Sequence, residues 1–164
     1  MADRDALLAE LDAAHDAFLE ALADVDADLA TVSGVMDDWS VRDIVVHVAA
    51  WNEHATDALA LAASGRGADF AYSTADTDAM NARFLADGRA VSPGEALRRE
   101  EASFRLFRAA VAALEPWLFE ERLGNGDTVE EVVRYDGPDH YAEHTGHVRS
   151  WFAGEPDEDG VGDG

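Results

Sequence analysis

The sequence predicts an all-α protein: a four-helix bundle with a long crossover between the second and third long helices. Three observations carry this reading. Apolar residues recur at i, i+3, i+4 and i+7 through four long segments, the segments are punctuated by helix caps, prolines and glycines, and no strand-like alternation of useful length interrupts them.

From Asp5 to about Ala30, residues Leu7, Leu8, Leu11, Phe18, Leu22, Val25 and Leu29 recur at helical spacing, with acids between them, and predict one long amphipathic helix. "SGVMDD" is a turn-rich break. In "WSVRDIVVHVAAWNEHATDALALAASG", Ser40 is placed to cap a second helix ending near Gly65, with Ile44, Val48, Trp51, Ala55 and Leu59 as its core stripe. Residues 65–91 are the least regular; Gly65, Gly67 and Gly88 bracket a shorter helix around "TDAMNARFLAD", and the stretch reads as the crossover. The third long helix opens with Ser92 as cap, Pro93 in the first turn and Glu95 three residues after the cap, and Pro116 ends it. A Gly-Asn-Gly turn and a short helix from about Asp127 or Thr128 follow, and Pro138 opens the last helix, which runs to about Phe152. One domain over 1–153 and an acidic, glycine-rich disordered tail over 154–164 complete the expected organisation.

Composition narrows the chemistry. With no cysteine, any metal must be held by nitrogen and oxygen ligands. The chain carries 35 acids against 12 basic residues, all of them arginine, for a net charge of −23. Such a surface repels nucleic acid and anionic membranes, and scattered acids of this kind fit a salt-rich cytoplasm, where ions screen the self-repulsion. No long apolar run and no basic-then-apolar leader appears, so a cytoplasmic location is expected. Salt adaptation has a measurable consequence: the melting temperature should fall by roughly 5 °C or more between molar and dilute potassium chloride. A flat response would mean that local pairing already offsets the charge.

Three of the six histidines, His140, His144 and His147, lie in "PDHYAEHTGHVRSWF" at i, i+4 and i+7. His47 sits between Ile44, Val48 and Trp51 on the inward side of the second helix. Bundle cofactor sites are built from side chains on facing helices, so His47 with a helical pair supplies three nitrogen ligands and leaves a coordination position open. His140 and His144 are the preferred pair, with His147 behind them or on the surface; His144 with His147, at i, i+3, is the alternative pair. His54 reads as a flank residue and His15 as structural. His140-Tyr-Ala-Glu143-His144 also matches H-x-x-E-H, the signature of inverted zinc proteases. A protease needs a strand to pair with an extended peptide, and none is expected here. Glu143 stays a candidate catalytic base, since it shares the helix side of His140 and His144.

"WSVRDIVVHVAAW", "DAMNARF" and "YDGPDHYAEHTGHVRSW" together resemble the DinB superfamily of four-helix bundles, and within it the ClbS/DfsB family, over roughly Trp39 to Trp151. That resemblance implies a metal triad of one histidine from the second helix and two from the last, which falls on His47, His140 and His144. It adds Tyr141, Glu143 and Asn81 as polar residues lining the same cavity. It also implies a detoxifying or resistance role, or thiol-dependent transfer.

The expected site is therefore a divalent ion, zinc by default with nickel, iron or manganese as alternatives, facing a cavity walled by Trp51 and by Tyr141 or Trp151. The expected activity is attack by activated water or thiol on a small electrophilic substrate. A non-catalytic bundle with a structural or vestigial metal site, acting through self-association as a homodimer or through protein binding, is the other reading.

Overall fold

A computed structural model describes residues 2–154. Of the tail expected over 154–164, Gly154 caps the last helix and residues 155–164 lie outside the described residues. The helices are α1 (Arg4–Leu22), α2 (Val41–Ala63), α3 (Thr77–Arg89), α4 (Pro93–Ala113), α5 (Val129–Asp136) and α6 (Pro138–Ala153). Among the described residues there is no strand, only two isolated bridges, and no helix is long and apolar enough to cross a membrane.

The caps lie where the side-chain chemistry puts them. Ser40, Ser92 and Thr128 each accept from the backbone of the residue three positions on, and Asp43, Glu95 and Glu131 return the bond to the cap, closing three capping boxes. Four long helices, α1, α2, α4 and α6, form the bundle: α2 packs on α4, α1 on α6 and α4, and the crossover helix α3 lies against α2. Leu7, Leu11, Phe18, Ile44, Leu59, Phe107, Val111, Tyr141 and Val148 meet in one core. α5 touches both α2 and α6 and so closes one side of the space between them.

The first helix is shorter than its apolar period predicts, ending at Leu22 rather than near Ala30. Its continuation, "DVDAD", would put Asp24, Asp26 and Asp28 at the carbonyl end of the helix dipole, where negative charge is unfavourable. Asp26 instead accepts from the Leu29 amide at 2.9 Å and starts a separate 3₁₀ turn, Leu29–Thr31.

The joint between α5 and α6 is the feature that positions the site. Gly137 connects the two helices with no intervening loop, and a Cβ there would lie 2.4 Å from the Val133 carbonyl and 3.2 Å from Leu11 and Phe107 side-chain carbons. Only glycine lets the chain turn this close to the core. Pro138 then starts α6 in its first turn, which places His140 at the cavity end of that helix.

Candidate metal centre

Three imidazoles converge between α2 and α6. His47 Nε2 lies 2.9 Å from His140 Nε2, which lies 3.0 Å from His144 Nε2, and the three offer ligand atoms all within 4.8 Å of one another. Helical spacing brings His140 and His144 together on α6, and the inward face of α2 brings His47 to meet them across a sequence distance of 93 residues. The ring planes are tilted or perpendicular, so nitrogens rather than faces meet.

Electrostatics keeps these rings neutral. Burial, aided by His140, holds His47 down at about 3, burial holds His140 down at about 4, and burial with its imidazole neighbours holds His144 well below the ordinary histidine range. Neutral imidazole is the metal-ligating form.

The donor set fits a cation. Two nitrogens on a tetrahedral ion at about 2.0–2.1 Å stand roughly 3.4 Å apart, a few tenths of an ångström more than the His47–His140 and His140–His144 separations. Each neutral ring carries one proton, so packing three Nε2 atoms together without an ion leaves Nδ1 groups to be satisfied elsewhere. The Nδ1 atoms of His47 and His140 are in fact buried with no partner. On the side of His144 away from the cluster, His147 Nδ1 lies 3.3 Å from His144 Nδ1.

The cluster opens onto a cavity of about 320 Å³ lined by His47, Trp51, Asn81, Asp136, Glu143 and other side chains. Trp51 and Asn81 both line it, joined by a 2.9 Å hydrogen bond from the indole N–H to the Asn81 carbonyl oxygen. Glu143 is exposed and stands on the same wall.

Two residues expected in the cavity lie elsewhere. Tyr141 follows His140 by one position, a rotation of about 100° around the helix, and its ring is fully buried against His15, Phe18 and Phe104. Trp151 is half-buried against the core and Phe152, two turns beyond His144, and does not line the cavity. His54 contacts the rings of Trp51, Phe70 and Tyr72 and lines a neighbouring cavity.

Comparison with known proteins gives this geometry a family. The model of the mycothiol maleylpyruvate isomerase N-terminal domain matches residues 8–148, most of the chain. The protein belongs to that family. It is thereby a member of the DinB-like superfamily, in which metal binding is frequent. The family match spans both sources of the triad, His47 on α2 and the pair on α6. An uncharacterised protein from Escherichia coli UTI89 has a similar structure, with a TM-score of 0.79 at 18% identity, over 92% of this chain and 93% of that one. At that identity the likeness is one of fold. No curated protein matches the sequence.

Sequence reasoning passed over Asp136, Met36, Tyr72, Thr77 and Tyr135, which also line the cavity. For Asp136 there was a signal: an acid directly before Gly-Pro is an acid at a helix C-terminus, the end of the dipole that disfavours it.

Proposed function

We propose that this member of the mycothiol maleylpyruvate isomerase N-terminal family is a metal-dependent enzyme that activates water or a bound thiol for attack on a small electrophilic compound. The observation that carries the proposal is the convergence of three imidazoles, with His140 Nε2 2.9 Å from His47 Nε2 and 3.0 Å from His144 Nε2, on the wall of an open cavity. His47, His140 and His144 would hold a divalent ion, and three nitrogens with an open position favour zinc over nickel, iron or manganese. When bound, the ion supplies Lewis acidity that makes a water or thiol a nucleophile near neutral pH. The family's name associates it with a thiol, mycothiol, which favours the thiol branch, and the ClbS/DfsB likeness of the helix-two and helix-six motifs supports an action on reactive compounds.

The side chains divide the remaining work. The Trp51 ring, 5% exposed, forms an apolar wall that limits water at the histidines. Its N–H donates to the Asn81 carbonyl oxygen and so fixes the amide, leaving the amide N–H₂ to hold a polar group of the substrate. Glu143, solvated at the cavity wall, is placed to take up a proton from the nucleophile and pass it to bulk water.

Halogenated or strained-ring electrophiles, incubated with and without a low-molecular-weight thiol, should be consumed by the metal-loaded protein. Turnover should stop with chelator, return with added divalent metal and be absent from His140→Ala. Activity that survives complete metal removal would reject this mechanism.

A further inference from the structure

A second cavity, of about 540 Å³, lies beside the histidine centre and contains none of its three histidines. Helical spacing builds one part of its wall, since His54, Asp57 and Leu61 stand at i, i+3 and i+7 on α2. The segment leading into α3 supplies Phe70, Tyr72 and Asp76, and α3 itself adds Met80 and Arg83. The volume is that of a small-molecule site, roughly 300–1,000 Å³. Tyr72 lines both cavities and so stands between them, its hydroxyl bonded to that of Thr77.

Acids are scattered over this whole chain, so Asp57, Asp69 and Asp76 alone mark nothing. What sets the cavity apart is the ring cluster in its wall. The centroid of His54 lies 5.1 Å from Phe70 and 4.9 Å from Tyr72, with planes inclined by 49° and 75°, and Phe70 lies 6.2 Å from Tyr72. Trp51 backs His54 and Tyr72 edge-on at 5.0 and 5.7 Å, which fixes both rings. The His54 ring is held by these aromatic contacts rather than by hydrogen bonds, its Nε2 being buried without a partner. It carries no charge to repel a cation: an ordinary imidazole is mostly neutral at pH 7, and burial lowers His54 further, against the opposing pull of Asp57. Of the carboxylates, Asp69 is held by Arg66 at 2.8 Å and Asp76 accepts from Ser73. Asp57 is exposed and bridges to no arginine among the described residues, so its charge is available to a ligand.

We propose that this second cavity binds a small organic cation, an alkyl- or arylalkylammonium compound, whose charged head lies between the His54, Phe70 and Tyr72 rings and the Asp57 carboxylate. Ring quadrupoles and a carboxylate both favour a positive head, and the ring cluster with Leu61 and Met80 takes its apolar part. A bare metal ion, strongly hydrated, gains little from such rings, and an anion meets the field of the whole acidic chain. Arg83, the one guanidinium in the wall, opposes the ligand; its carbon lies 6.0 Å from the Phe84 ring centroid. The site needs no metal at the histidines and stands apart from the chemistry proposed there.

Benzyltrimethylammonium is the probe, titrated into the whole metal-free chain at one fixed potassium chloride concentration and followed by NMR. One saturable site should appear, with the shifts centred on His54, Phe70 and Tyr72. Benzyl alcohol, which keeps the ring and lacks the charge, should bind about fivefold or more weakly than the cation. Tyr72→Leu, which removes a π face and keeps bulk, should weaken the cation by about fivefold or more, and Asp57→Asn by about threefold. Arg83→Gln should tighten it, since a like charge is gone. Shifts spread over the acidic surface, or benzyl alcohol bound as tightly as the cation, would overturn the proposal, and so would an unchanged affinity in Asp57→Asn. Should Tyr72→Leu not fold, Asp57→Asn and the benzyl alcohol comparison decide alone, because Asp57 is exposed and outside the core. Repeating the titration with zinc added should leave the affinity unchanged, and a protein that takes up no zinc counts against the metal reading only.

Discussion

One divalent ion should bind per chain, and replacing any one of His47, His140 or His144 by alanine should weaken it by about two orders of magnitude or more, while His54→Ala leaves it unchanged. The size follows from structural zinc affinities of about 10–16 kcal/mol shared among four ligands, so that each is worth roughly 3 kcal/mol. Element-resolved analysis of protein purified without an affinity tag, backed by competition with a chelator of known affinity, measures it. Stoichiometric, tight metal in His140→Ala would move the pair to His144 and His147, whose Nδ1 atoms already lie 3.3 Å apart.

The pH dependence follows from the same burial. An ordinary imidazole protonates near 6.5, but His47 is held at about 3 and His140 at about 4, with His144 also lowered. Protons therefore compete weakly with a metal at pH 5, and occupancy should persist below the pH of about 6 at which exposed histidines would let go. For the metal-free protein the sign is the reverse of a stabilising pair. The unfolded chain binds protons at these three positions below about 6.5 while the folded chain does not, so stability is full above that value and is lost as pH falls toward 4. Thermal melts of the chelator-treated protein between pH 7 and pH 4 should descend accordingly. His140→Ala should descend less steeply, since one buried base is gone.

Much of this centre was legible from the chain alone, for reasons that mark the boundary. His47 with Ile44, Val48 and Trp51, and His140 with His144, are separations along one helix, and helical geometry fixes which side such residues share. Capping residues fixed the starts of α2, α4 and α5 because their bonds reach only three positions. What the sequence does not carry is rotation of one helix about its axis relative to another. Tyr141 is adjacent to a metal-site histidine yet points into the core, because α1 and α4 offer it partners there. Asp136 enters the cavity only because Gly137 lets α5 fold back onto α6, a contact made by tertiary packing. The long first helix failed for a further reason: its apolar period continues past Leu22, and the alternating acids that stop it weigh on the helix end electrostatically rather than by pattern.

Glu100→Ala should cost about 3–5 kcal/mol of folding stability. Glu100 is 1% exposed at the centre of a polar network that ties four helices together. Its Oε1 receives the Tyr141 hydroxyl at 2.7 Å and lies 2.8 Å from His15 Nε2, and Asn52 donates to the Tyr141 oxygen at 2.7 Å. His15 also stacks on Phe104 at 3.5 Å between ring centroids, so it has no freedom to find another partner. Removing the carboxyl strands the His15 nitrogen and the tyrosine O–H in a dry interior and leaves a void beside them. For a chain of this size the loss corresponds to a melting temperature roughly 10 °C lower. Glu100→Gln keeps an acceptor oxygen and the shape, and should cost about 1–2 kcal/mol. The network also bears on the metal centre, because Tyr141 lies between His140 and His144 in sequence and fixes the rotation of α6 that points both toward His47. Tyr141→Phe preserves the ring packing, so its cost should be near 1 kcal/mol, and in a double-mutant cycle with Glu100→Ala the two losses should be well short of additive. Urea unfolding followed by circular dichroism gives all three values. A loss under 1 kcal/mol for Glu100→Ala, or strict additivity with Tyr141→Phe, would mean that apolar packing alone sets the rotation of α6 and that the buried network is incidental to the site.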